Sequence, residues 1–267
     1  MPATHTVDVR DLLYSDDAFL IFFCPKNSIP ERELETRKDL RNERVFSIDP
    51  DSAKDIDDVL SVKINEDGTY EVGVHIADVS FFVKPNTPLD RDARKRATSV
   101  YLVQRAVPML PPALSEQLCS LLPGQDRLAF SVVFTLDSDA KVVKKWFGKT
   151  IIRSAAKLTY SDAQRAIDDQ SLEEVEVDSG HMATDIERDI LTLKVLAKKL
   201  RARRIKNGAL CLDNLNLTFV LDENGLPSDC GQYQRTEAHT LIEEVSLRVL
   251  CYVSFKLNPV VSVHVID

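Results

Sequence analysis

The chain of 267 residues has no Cys-x-x-Cys pair, no excess of positive charge, no internal repeat and no apolar run long enough to span a bilayer. Each absence removes a class of protein. The five cysteines (Cys24, Cys119, Cys211, Cys230 and Cys251) are odd in number and widely scattered. That pattern argues for free thiols in a reducing compartment and against a disulfide framework or a zinc site. A formal charge of −8 argues against nonspecific coating of nucleic acid, although net charge hides any local basic groove. The apolar stretches 18–24 and 245–257 are short, and the second contains Arg248 and Lys256, so both read as core elements. The start, Met-Pro-Ala-Thr-His, lacks the basic region of a secretory signal. The expected address is the cytoplasm, with no membrane partner.

What is present reads as a globular chain, with 44% apolar and 28% charged residues. Residues 26–44 are densely charged and read as a linker or short helix entering the main domain. Strands are predicted on both sides of the turn Asn65-Glu-Asp-Gly-Thr69, at 128–136, at 142–153 and at 216–221. Residues 88–97 are helical in character, with Pro88 acceptable in the first turn. Met182, Ile186, Ile190, Leu193, Leu196 and Leu200 recur at spacings of three and four, which predicts a helix over 182–200. The interleaving gives a mixed α/β (α+β) class.

Between Asp49 and Asp58 the chain reads Asp-Pro-Asp-Ser-Ala-Lys-Asp-Ile-Asp-Asp, with one lysine among five carboxylates. Like charges at that density repel unless solvent or a cation relieves them. Three readings follow. A solvated loop is the plainest. A twelve-residue calcium loop fails on spacing, because counting from Asp51 the turn glycine is replaced by Ile56 and the bidentate glutamate by Val62. A magnesium site for phosphodiester hydrolysis needs several carboxylates but no fixed frame.

The blocks around the motif carry a resemblance that favours the third reading. Phe46-Ser-Ile-Asp-Pro50, Ala53-Lys-Asp-Ile-Asp-Asp58 and Val72-Gly-Val-His-Ile-Ala-Asp-Val-Ser80 resemble the RNase II/RNB family of 3′→5′ exoribonucleases. So do Arg96-Ala-Thr-Ser-Val-Tyr-Leu102, Trp146-Phe-Gly-Lys-Thr-Ile-Ile-Arg-Ser154, Lys157-Leu-Thr-Tyr160 and Leu241-Ile-Glu-Glu244. Within the family the wording is most similar to the eukaryotic cytoplasmic branch that acts without the exosome on 3′-uridylated RNA. The resemblance implies a monomer that hydrolyses single-stranded RNA to nucleoside 5′-monophosphates with Mg2+, or Mn2+ in its place.

By resemblance, Asp49, Asp55, Asp57 and Asp58 are the catalytic, metal-ligating aspartates, and Asp51 and Lys54 are bystanders. Tyr101 matches an aromatic that stacks on bases near the channel entrance, and Tyr160 one that lines the terminal-nucleotide pocket. Glu243 aligns with a glutamate that reads the 2′-hydroxyl. His75 and Asp78 sit three apart on a strand, on opposite faces, and are expected to be structural. The basic stretches 91–96 and 198–206 suit either phosphate contacts or a solvated helix face.

The expected domain plan is a divergent start or OB-fold remnant at 1–25, a linker at 26–44, the N-terminal part of an RNB-type catalytic domain at 45–244, and a divergent tail at 245–267. That tail is β-branched and weakly charged, the composition of an exposed edge strand. The family continues past this point to an arginine that contacts the scissile phosphate, so the expectation is a catalytic domain incomplete on its C-terminal side. The alternative reading is an RNA-binding regulator or an inactive truncated isoform.

Overall fold

The computed structural model describes residues 29–257, apart from 104, 173, 179, 211–216, 224–225 and 233–234. The remnant expected at 1–25 and the last ten residues of the expected tail lie outside them. In chain order the elements begin with α1 (Glu31–Thr36), β1 (Lys38–Asp39), β2 (Val45–Asp49), β3 (Asp58–Ile64) and β4 (Tyr70–Ala77). Then come α2 (Val79–Phe82), α3 (Pro88–Arg96), the short hairpin β5 (Val100–Tyr101) and β6 (Ala106–Val107), and a π-helix at Ala113–Leu118. The long strands β7 (Asp126–Leu136) and β8 (Val142–Thr159) follow, then α4 (Tyr160–Ile167) and α5 (Ala183–Lys206). The hairpin β9 (Leu217–Leu221) and β10 (Pro227–Gln232) leads into α6 (Glu237–Leu257). The class is mixed α/β, as the interleaved pattern indicates.

The main sheet runs β1-β8-β2-β3-β4-β7, and β7 also pairs with β8, so β2, β3, β4, β7 and β8 form a closed circuit. Strand β8 makes this possible by changing partner. Its residues up to Arg153 lie antiparallel to β7, and Ser154 to Thr159 lie parallel to β2. Alternation along each strand divides the core. Phe46, Ile48, Leu60, Val62, Val72, Val74, Val132 and Phe134 face the helices α4, α5 and α6, whose Ile186, Ile190, Leu193, Leu196 and Leu241 complete that layer. Val45, Val59, Ala77, Ala129 and Ile152 face the other way and pack with Ile56, Leu89, Leu114 and Leu121.

Two expectations about the ends of the domain need correcting. Over its described residues the stretch expected as a linker or short helix contains the short helix α1, and it is part of the packed fold rather than a linker. Arg37 is buried and pairs with Glu33 at 2.7 Å and with Asp78 at 2.6 Å, Leu40 is buried, and β1 lies parallel to β8. Residues 245–257 are not an edge strand but the second half of α6, and Val245 is buried against the helical layer. That agrees with the reading of the apolar stretch 245–257 as a core element, and the β-branched run 260–266 lies outside the described residues.

Candidate active site

The four aspartates gather where β2 ends and β3 begins. Asp49 is the last residue of β2, Asp58 is the first of β3, and the chain between them makes the loop that carries Asp55 and Asp57. That loop is held at several points. Ile56 is fully buried in the second core, which turns its two acidic neighbours away from the interior. Its backbone is clamped on both sides: Ile56 N–H donates to Ser120 Oγ at 3.0 Å, and Leu121 N–H donates to Ile56 O at 2.9 Å. Ser120 Oγ in turn donates to Lys54 O at 3.1 Å, and Ala77 N–H donates to Asp57 O at 2.9 Å. Asp51 and Lys54 are exposed.

Strand β8 supplies the opposite wall. It pairs Thr159 with Asp49 and Lys157 with Ser47, and its last residue caps α4. Thr159 Oγ1 accepts from Asp162 N–H at 3.0 Å, and Asp162 Oδ2 accepts from Thr159 N–H at 2.9 Å, a capping box that fixes Tyr160 as the first helical residue beside the aspartates. Lys157 Nζ reaches across to donate to Ala53 O at 2.5 Å. A cleft of about 840 Å³ adjoins this wall, lined by Lys157, Asp162 and the segments 122–125 and 174–178.

The electrostatics are those of crowded carboxylates. Burial, with the negative charges of Asp58 and Asp55, pushes Asp49 up to about 6. Asp57 is accessible but recessed; desolvation, followed by the charges of Asp55, Asp58 and Asp49, also pushes it up to about 6. Burial raises Asp58 as well. Asp49 Oδ2 is buried with no hydrogen-bond partner. An all-oxygen donor set with an orphaned carboxylate oxygen and mutual repulsion fits a hard divalent cation. Among the described residues no three His, Cys, Asp or Glu side chains converge into a ready-made cage. A divalent ion at this set would keep part of its water shell and take substrate phosphate oxygens beside one or two of the carboxylates.

Of the three other expected site residues, the structure brings two to the aspartates. Tyr101, on the β5–β6 hairpin, is 72% exposed. Partial burial and the nearby charges of Asp55 and Asp57 raise its hydroxyl pKa. Tyr160 stacks face to face on His239 of α6, with centroids 3.9 Å apart and planes 12° apart. Glu243 lies one turn beyond His239 on the same helix, and its carboxylate pairs with Arg204 at 3.3 Å and with Arg235. Lys157 and His239 are the two residues that site reasoning from the sequence did not single out. No local pattern marks either one, because each acquires its neighbour only through strand pairing or helix packing.

His75 and Asp78 are structural. His75 is buried between Ser61 Oγ at 3.0 Å and Ser131 Oγ at 2.7 Å, and Asp78 is the buried partner of Arg37. The basic stretch 198–206 is mostly engaged by the fold: Lys199 and Arg203 donate to backbone carbonyls of the turn 138–140, and Arg204 pairs with Glu244 at 2.6 Å. Among the described residues no helix is long and apolar enough to cross a membrane.

Comparison with known proteins adds the following. A family model described as the RNB domain matches residues 37–256, reaching past Glu244 through most of α6. DIS3-like exonuclease 2 of Schizosaccharomyces pombe is 49% identical over 223 residues, covering 82% of this chain and 24% of that protein. A protein of Arabidopsis thaliana named Inactive exonuclease DIS3L2 is 47% identical over 226 residues, covering 82% of this chain and 21% of its own. Among solved structures, Mycoplasma genitalium RNase R in complex with ribose-methylated single-stranded RNA superposes with a TM-score of 0.76 at 27% identity, covering 86% of this chain and 35% of that one. The chain thus spans about a quarter of the length of the curated relatives it matches.

Proposed function

The chain belongs to the RNB-domain family, and from that premise we propose that it is the metal-binding part of a hydrolytic 3′→5′ exoribonuclease that degrades single-stranded RNA to nucleoside 5′-monophosphates. The observation that carries the reading is the gathering of Asp49, Asp55, Asp57 and Asp58 at one strand end, with the raised pKa values of Asp49, Asp57 and Asp58 and the orphaned Asp49 oxygen. Magnesium, or manganese in its place, would be held by Asp49, Asp55, Asp57 and Asp58, in part through its waters, and would supply charge stabilisation at the scissile phosphate and an activated water.

The chain's own residues do the rest. Ile56 and Ser120 hold the loop so that Asp55 and Asp57 open toward substrate. Tyr101 offers an exposed ring for a base, a contact indifferent to sequence because every base has a π-face. Tyr160, backed by His239, forms one wall for the terminal nucleotide. Glu243, one turn along the same helix, offers an acceptor for the 2′-hydroxyl that separates RNA from DNA. The proposed setting is a cytoplasmic monomer, independent of the exosome, acting on RNA with 3′-uridine tails.

A second reading is supported by a named relative: the Inactive exonuclease of Arabidopsis thaliana is 47% identical. On that reading the chain binds RNA without cutting it. The deciding experiment incubates the chain with 5′-labelled oligo(U) and Mg2+, with Asp57→Asn as control. A ladder of shortened products, lost in the variant, is expected. Binding with no ladder would overturn the nuclease reading in favour of the second.

A further inference from the structure

The sheet carries another surface with nucleic-acid-binding chemistry, toward the end of β8 remote from the aspartates. We propose that this face binds single-stranded RNA through Trp146 and the lysines around it, as a contact for nucleotides upstream of the 3′ end. The choice of RNA over other polyanions rests on the reading above.

Cross-strand pairing builds the face. Lys63, Glu71, Thr135 and Lys144 form one row across β3, β4, β7 and β8, and Ser61, Gly73, Val133 and Trp146 form the next. Residues directly opposite one another share a face. Two glycines keep the floor low. A Cβ on Gly73 would meet Ser61 Oγ at 2.4 Å, and one on Gly148 would meet the Trp146 ring at 2.9 Å. The indole therefore lies down over the Gly148 backbone. Lys38 Nζ sits 4.6 Å from its centroid, in a cation–π contact. Trp146 is half-buried, whereas Lys38, Lys63 and Lys144 are exposed.

Charge complementarity points to the occupant. On this face Lys38, Lys63 and Lys144 outnumber its one acidic residue, Glu71, in a chain whose net charge is −8. The local field is thus opposite in sign to that of the whole molecule. Among the described residues, 142–149 also form an open edge, because there they pair only with β7 and β1 joins β8 no earlier than Thr150. Lysines on an edge deter strand addition, which accounts for some of the charge. It does not account for a half-buried tryptophan ring set beside an ammonium. A planar ring flanked by cations is the pairing that engages single-stranded RNA, with stacking for the bases and lysine for the phosphates. Trp146 precedes Thr159 by thirteen residues on β8, roughly 40 Å along the strand, so this is a separate contact from the terminal-nucleotide pocket.

Trp146 is the single tryptophan of the chain, so its emission reports on this face alone. The experiment titrates the full chain with a dye-labelled oligo(U) in EDTA, reading tryptophan emission and RNA anisotropy together. Saturable quenching with the anisotropy midpoint is expected. Lys38→Glu with Lys144→Glu should weaken binding about tenfold and lower the salt slope by about 2. Asp57→Asn should quench like the unaltered chain, so this proposal can stand even if no product ladder forms. RNA that binds without changing the emission would overturn it, as would no binding at all or lysine variants of undiminished affinity. Equal quenching by polyglutamate would overturn it in favour of an acidic protein partner. Circular dichroism of the lysine variants separates lost affinity from lost fold.

Discussion

The Lys157 ammonium donates to the carbonyl oxygen of Ala53 at 2.5 Å, joining the strand that leads to Tyr160 to the loop that presents Asp55 and Asp57. The same positive charge opposes the rise in the Asp49 pKa. One side chain therefore fixes the loop and offsets part of its repulsion.

Replacing Lys157 with methionine should free the loop while leaving the fold intact. A hydrogen bond from a charged donor contributes about 1.5–3 kcal/mol. If that positioning is fully expressed at the reacting phosphate, cleavage of oligo(U) should slow about ten- to a hundredfold. Lys157→Arg should recover part of the rate. An undiminished rate in the methionine variant would mean that Ser120 alone holds the loop.

Stability without metal should fall as pH rises through the carboxylate window. Asp49 and Asp57 hold protons in the folded state up to about 6, while the unfolded chain releases them near 3.8. Between those values the native state binds more protons, so unfolding free energy declines with rising pH. Urea midpoints in EDTA, taken as the difference from an Asp49→Asn, Asp57→Asn double variant, isolate this effect. Mg2+ at about a hundred times its dissociation constant should add about 2.7 kcal/mol to the unaltered chain, and much less to the double variant.

His75 should produce the opposite slope. Burial, together with the charge of Lys38, holds it down to about 4 against an ordinary value of 6.5. As pH falls through that interval the unfolded chain gains a proton and the folded one does not. Roughly 3 kcal/mol of stability is then lost between the two values. His75→Ala would abolish this dependence. It should also cost about 2–4 kcal/mol at neutral pH, by leaving a cavity and stranding Ser61 and Ser131. Denaturant curves of the aspartate double variant, with and without the histidine, make the test.

The two tyrosines should respond differently to truncation. Tyr101 is 72% exposed, so Tyr101→Ala should change stability by no more than about 0.5 kcal/mol. It should still weaken RNA binding by the 1–3 kcal/mol, about five- to a hundredfold, typical of one stacked base. Tyr160→Ala loses its stack on His239 and its packing on the helical layer, so its unfolding midpoint should drop as well. Equal midpoints for the two variants would contradict the assignment of Tyr160 to both wall and core.

Much of the fold was legible where a local pattern repeats. The apolar spacing from Met182 to Leu200 marked the long helix, which runs on to Lys206 because Arg203 and Arg204 find partners in the 138–140 turn and on α6. The strand over 142–153 was also legible, but its continuation to Thr159 was not. No residue type signals that a strand will leave one neighbour at Arg153 and join another at Ser154. The stretch 245–257 was legible as a core element from its apolar residues, but that it is helical was not, because its place in α6 comes with packing on α5.

The sequence by itself determined the composition of the centre: four aspartates at fixed spacing, with an isoleucine between two of them and strand-forming residues on either side. Spacing along ten residues is a local property, and the chain carries it whatever its surroundings. Only the tertiary structure decided what faces those carboxylates. Lys157 opposite the loop, Tyr160 at a capped helix start and His239 behind its ring come from segments separated by about a hundred residues or more. Lys157 and Tyr160 come to the aspartates because β8 pairs in parallel with β2, and His239 comes to Tyr160 because α6 folds back on α4, contacts that no short-range pattern encodes.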